Sequence, residues 1–135
     1  MDRAAQAQTQ VTGRWGEDVA AAFLERAGYR ILGRRVRPDR RDELDIVARL
    51  GDSLVFVEVK TRASEDFARP FAAVNAAKRQ ALNRAAVHYL RQLDFPKLYY
   101  RFDTIEVVGT EGAPDPVVRH IENAFPFAKR YMLGV

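Results

Sequence analysis

Hydrophobic positions in this chain change period several times, and each change marks an element. Trp15, Val19, Ala22, Phe23 and Arg26 recur at helical spacing after Thr12, a plausible N-cap, and Gly28 closes that helix. Tyr29 to Arg37 then reads as a first strand, Pro38-Asp39 as a turn, Leu44 to Leu50 as a second strand and Ser53 to Thr61 as a third. Residues 62 to 71 read as a loop. A long helix is predicted from about Val74 to Leu93, with Val74, Ala77, Ala81, Leu82, Ala85, Ala86, Tyr89 and Leu93 on one face and Pro96 at its exit. Tyr99 to Val108 reads as a fourth strand and Val117 to Asn123 as a fifth, separated by a connection rich in proline and glycine. The order α-β-β-β-α-β-β predicts an α/β fold: an α/β/α sandwich around a mixed sheet of about five strands. Residues 1–10, polar and rich in Ala and Gln, are expected to be a frayed tail, residues 11–125 a single domain and residues 126–135 a C-terminal tail.

The second and third strands carry the most chemistry. Gly51-Asp52 separates two apolar runs, and glycine in the first loop position is what a two-residue type II′ hairpin turn requires. If Leu50 pairs with Ser53, Asp45 falls opposite Glu58 and Glu43 opposite Lys60, all four on one face. Like charges placed opposite each other destabilise a sheet, so the two carboxylates suggest a divalent cation between them. Magnesium takes oxygen ligands and keeps several waters, so two carboxylates plus a phosphate oxygen suit it. Lys60 lies about 7 Å along the strand from Glu58, near enough to hold a water or phosphate beside the cation. The competing reading is a pair of cross-strand salt bridges on a solvated face. Glu43 is expected to pair with Lys60 and hold it in position.

Composition narrows the setting. In 135 residues, 47% are apolar and 30% charged, as in an ordinary one-domain globular protein, and no apolar run approaches the ~20 residues of a membrane span. The N-terminus lacks a signal-peptide pattern, so a cytoplasmic location is expected, with no membrane partner. The absence of cysteine removes disulfides, cysteine-ligated zinc and thiol catalysis. A net charge of +4 favours an anionic partner, and Arg30, Arg34, Arg35, Arg37, Arg40 and Arg41 crowd the approach to the hairpin. The bland reading of that run is a strand edge kept from aggregating by charge. His88 and His120 have no partner motif and receive no catalytic role, and Arg101 with Asp103 reads as a structural ion pair.

The residues Gly13-Arg14-Trp15-Gly16-Glu17, Glu43-Leu44-Asp45-Ile46-Val47-Ala48, Val55-Phe56-Val57-Glu58-Val59-Lys60-Thr61-Arg62, Lys78 and Arg101-Phe102-Asp103 together resemble the YraN-like family, small bacterial proteins with an endonuclease-like fold. The likeness runs from about residue 13 to 125. The central motif is in turn similar to the PD-(D/E)XK nuclease superfamily, particularly Holliday-junction resolvases and restriction enzymes. That resemblance implies a restriction-endonuclease-like fold and a Mg²⁺- or Mn²⁺-dependent hydrolysis of phosphodiester bonds in DNA, on branched or otherwise structured substrates. Asp45 and Glu58 would ligate the metal, Lys60 would orient or activate the attacking water, and Glu17 would match the acid that completes resolvase-like sites. The alternative for Glu17 is a first-turn glutamate favouring the helix dipole. Arg35, Arg37, Thr61, Arg62 and Lys78 are the expected nucleic-acid contacts, and a homodimer is the expected assembly because resolvase-like cutting needs two sites. The chain departs from the family pattern at Asp42, where a glycine usually precedes Glu-x-Asp, at Arg35, where asparagine is common, and at Ala68, where a glycine is usual. A second reading is a non-catalytic nucleic-acid-binding or partner-docking module that retains the fold.

Overall fold

The computed structural model describes residues 3–64 and 74–128, with side chains described from residue 13 onward. Two helices, α1 (Arg3–Arg26) and α2 (Ala76–Gln92), flank one sheet of five strands: β1 (Arg30–Val36), β2 (Leu44–Leu50), β3 (Ser53–Arg62), β4 (Tyr99–Val108) and β5 (Val117–Phe125). Helix α1 begins well before Thr12, so the stretch expected to fray is helical from Arg3. It ends as expected. Gly28 takes a left-handed φ of 94°, and the Tyr29 N–H reaches back to the Leu24 carbonyl at 2.9 Å, closing a Schellman motif. Helix α2 starts at the N-cap Asn75, whose side chain accepts from the Lys78 N–H at 2.9 Å.

Strand order follows chain order. Neighbours are antiparallel except β3 and β4, which run parallel because α2 carries the chain back across the sheet. The β2–β3 hairpin has the expected register, from Leu50↔Ser53 to Ile46↔Val57, around Gly51 with its φ of 56°. Each face of the sheet carries its own core. Ala20, Ala21 and Leu24 of α1 pack on Ile46, Ala48, Val55, Val57, Ile105 and Val107; Leu82, Ala85, Ala86 and Leu90 of α2 pack on Val47, Leu54, Phe56 and Phe102. The segment expected to begin a C-terminal tail contributes to the second core, since Phe127 lies 4.3 Å from Phe102 between ring centroids and the Ala128 N–H donates to Asn83. Residues 129–135, most of the loop predicted over 62 to 71, and Ala68 within it lie outside the described residues.

Two backbone features position the site. Gly16 in α1 lies so close to β3 that a Cβ there would fall 1.9 Å from the Thr61 hydroxyl oxygen, which brings the first helix hard against the end of the third strand. In β1, Arg35 has a φ of 51°. That left-handed conformation suits asparagine better than arginine and turns the Arg35 side chain out of simple strand alternation.

Candidate functional site

The β2–β3 ladder stops at Ile46↔Val57, one step short of the expected Asp45–Glu58 pair. Asp45 instead turns its carboxylate onto the backbone of β3 and accepts from the Val59 N–H at 2.9 Å. Glu58 is 9% exposed and shares the α2 face of β3 with Leu54 and Phe56. Its Oε1 lies 3.7 Å from Lys78 Nζ, while its Oε2 is buried with no hydrogen-bond partner. The two acids perturb each other. Burial pushes the Asp45 carboxyl up to about 7, the Glu58 charge adds to the shift, and the Val59 N–H and Lys78 oppose it. Burial also raises Glu58, against the pull of Lys78, Asp45 and Lys60. Two carboxylates in contact, short of donors and reluctant to ionise, form a place for a proton or a cation.

Lys60 is half-buried two residues beyond Glu58 on the same strand face. Its expected partner Glu43 is elsewhere: Arg37 donates to Glu43 from Nε at 3.2 Å, so Glu43 does not hold Lys60. Across the parallel ladder, Lys60 is level with Glu106 and Glu58 with Thr104. Glu106 is fully buried, bonded through Oε1 to Arg62 and Arg119, and leaves Oε2 without a partner; the Thr104 hydroxyl is likewise buried and unpartnered. The sequence reading missed this second polar row. Its only signal was Thr104 and Glu106 alternating with apolar residues along β4.

Glu17 faces the sheet from α1 and is buried, but Arg35 grips it with both ends of its guanidinium, at 3.1 and 2.8 Å. The charge of Glu17 is felt at Asp45, yet among the described residues no three acids or histidines gather closely enough to hold a metal ion together. The expected third acid is thus set aside by an arginine. The expected nucleic-acid contacts divide similarly. Arg35 is bound to Glu17, Arg37 to Glu43 and Arg62 to Glu106; Thr61 packs against the α1 backbone at Gly16; Lys78 reaches Glu58. Asp42, which put a negative charge beside the site, is covered by Arg84 of α2. His120 acquires a partner that the sequence did not suggest, its Nε2 standing 2.8 Å from a carboxylate oxygen of Asp103.

An uncharacterised protein family, UPF0102, matches residues 16–107 of the chain. A UPF0102 protein of Geobacter sulfurreducens is 44% identical over 120 residues, covering 88% of this chain and 91% of the relative. A UPF0102 protein of Symbiobacterium thermophilum is 46% identical over 115 residues, covering 84% and 94%. Another, from Syntrophotalea carbinolica, is 45% identical over 113 residues, covering 84% and 89%. The matched span takes in Glu17, Asp45, Glu58, Lys60, Lys78, the C-terminal part of α1 and all of α2, and the chain belongs to the UPF0102 family.

Proposed function

We propose that this protein is a Mg²⁺- or Mn²⁺-dependent nuclease that hydrolyses phosphodiester bonds in DNA, with Asp45 and Glu58 as its metal-holding acids. The observation that carries the reading is the buried, unpartnered Oε2 of Glu58 beside a second carboxylate whose proton affinity is pushed up to about 7. An acid pair in that state lacks positive charge, and a hard divalent ion with oxygen ligands fits the donor set. A bound ion would supply Lewis-acid stabilisation of charge developing on the phosphoryl oxygens. The chain's own residues do the remainder. Asp45 is fixed by the Val59 N–H, Lys60 stands two residues from Glu58 to hold a water or a phosphate oxygen, and Lys78 offers a second ammonium on the α2 side. The PD-(D/E)XK resemblance of the hairpin supports the same assignment, and branched DNA is the substrate it suggests.

One observation favours the alternative, a binding module that retains the fold: Arg35 occupies the acid that would complete a resolvase-like site. The two readings separate on a panel of linear, flapped and four-way DNA incubated with Mg²⁺ or Mn²⁺. The enzyme reading expects cleavage that Asp45→Ala and Lys60→Ala abolish. No cleavage by the wild type, together with no calorimetric signal for either cation, leaves the binding module.

A further inference from the structure

Consecutive residues on a strand normally point to opposite faces. Arg34 and Arg35 break that rule: both reach α1, where Arg34 donates to Asp18 at 2.6 Å and Arg35 to Glu17. The cause is the left-handed φ at Arg35 together with the register shift between Ile31 and Gly33. A non-glycine residue persists in that conformation only where its surroundings enforce it, and such positions cluster at ligand sites. What the distortion makes here is an open depression of about 350 Å³, lined by Arg14, Asp18, Arg34 and Arg35. Arg14 is exposed and makes no hydrogen bond or ion pair with a described residue, so its guanidinium is available.

We propose that this depression is a phosphate subsite, in which Arg14 and Arg34, with Arg35 at its inner wall, take a backbone phosphate of a nucleic-acid strand. With Arg35 paired to Glu17 and Arg34 to Asp18, the Arg14 guanidinium leaves the depression with an excess of positive charge, and the planar fork of arginine matches phosphate oxygens. Its position joins it to the acid pair. The β1–β2 pairs Arg34↔Ile46 and Val36↔Leu44 put Arg35 level with Asp45 across the ladder. Arg35 also feels the Asp45 charge, so the depression on the α1 side and the acid pair, whose Glu58 and Lys60 face α2, meet at that edge of the sheet. The inference rests on the reading of the site as one that handles nucleic acid, but it does not require cleavage.

Fluorescence anisotropy of a labelled four-way DNA junction tests it, in EDTA and across a salt series. Each of Arg14→Gln and Arg34→Gln is expected to weaken binding about 3- to 10-fold and to lower the salt slope by about one. Arg91→Gln, in the last turn of α2, is expected to leave both unchanged. Equal affinity of wild type and Arg14→Gln overturns the subsite, as does an equal loss in Arg91→Gln, which would mean diffuse surface charge. A wild type that ignores DNA yet binds inorganic phosphate through Arg14 also overturns it, because the ligand would then be a free anion. Arginine-dependent junction binding with no cleavage and no cation binding supports the subsite while removing the nuclease reading, so the two fail separately.

Discussion

Asp103 and the Asp45–Glu58 pair are all buried acids in one small sheet, and burial alone would push all three carboxyls up. Asp103 goes the other way. It is fully buried, yet His120 Nε2 stands 2.8 Å from it, Arg101 reaches it at 2.9 and 3.1 Å and the Asn123 N–H at 2.9 Å, and these contacts hold its carboxyl below the ordinary range. Asp45 receives the Val59 N–H, Glu58 receives Lys78 at 3.7 Å, and a Glu58 oxygen goes without. The difference lies in donors rather than depth. An acid wrapped in donors is architecture: Asp103 ties β4 to the bulge of β5 at Asn123, where the register shifts. An acid pair left short of donors is unsatisfied as it stands, and either a proton or a cation would relieve it.

The largest test of that contrast is Asp103→Ala. Removing the acceptor leaves His120 and the Asn123 N–H without it and Arg101 with only Tyr29 and Glu122, and a loss of about 3–5 kcal/mol is expected in urea denaturation at pH 7, with or without divalent cation. A loss under about 1 kcal/mol would mean that the network is ornamental and would break the comparison from its architectural side.

Asp45→Asn should have the opposite sign. The folded carboxyl titrates near 7 and the unfolded one near 3.9, so between those values the folded state binds more protons and stability falls as pH rises. In EDTA, Asp45→Asn is therefore expected to be more stable than wild type by on the order of 1–3 kcal/mol at pH 8, with the gain vanishing at pH 4. Asp103 behaves in reverse: its depressed carboxyl stabilises the fold above about pH 4, and that contribution is lost as pH falls through its folded value. Thermal melts of wild type, Asp45→Asn and Asp103→Asn from pH 3 to 8 read both signs in one series. A destabilised Asp45→Asn at pH 8 would mean that the pair is as well compensated as Asp103.

A third effect tests how α1 reaches the site. A Cβ at residue 16 would collide with the Thr61 hydroxyl and press on the rest of that side chain, so Gly16→Ala must turn Thr61 to another rotamer or part the helix from the strand end, and a loss of about 1–3 kcal/mol is expected. Wild-type stability in that variant would show that Thr61 can turn, or α1 and β3 part, without cost.

What the sequence disclosed follows from the same distinction between local and distant causes. The hairpin register, the Gly51 turn, the Gly28 cap and both helices were legible, because each is set by periodicity or by one residue's backbone preference. Asp45, Glu58 and Lys60 were legible as a cluster because a single hairpin holds them. The partners were not. Arg62 and Glu106, and Asp42 and Arg84, are joined only by packing of elements far apart in the chain, while Glu17 and Arg35, and Asp103 and His120, sit on consecutive elements but meet through a left-handed residue or a register shift. The reason for Gly16, the close approach of Thr61, lies across a tertiary contact and has no local signature. Arg35 looked like one more basic residue until its left-handed backbone sent it to Glu17.

The smallest expected effect concerns Glu43, assigned by register to Lys60 and found with Arg37. Both partners are partly open to water, with the Arg37 side chain 58% exposed, so screening and side-chain entropy leave little net attraction. A double-mutant cycle over Arg37→Gln and Glu43→Gln, read by urea denaturation, is expected to give a coupling of about 0.2–1 kcal/mol. A coupling of that size in a parallel cycle over Glu43→Gln and Lys60→Gln, with none to Arg37, would return Glu43 to Lys60.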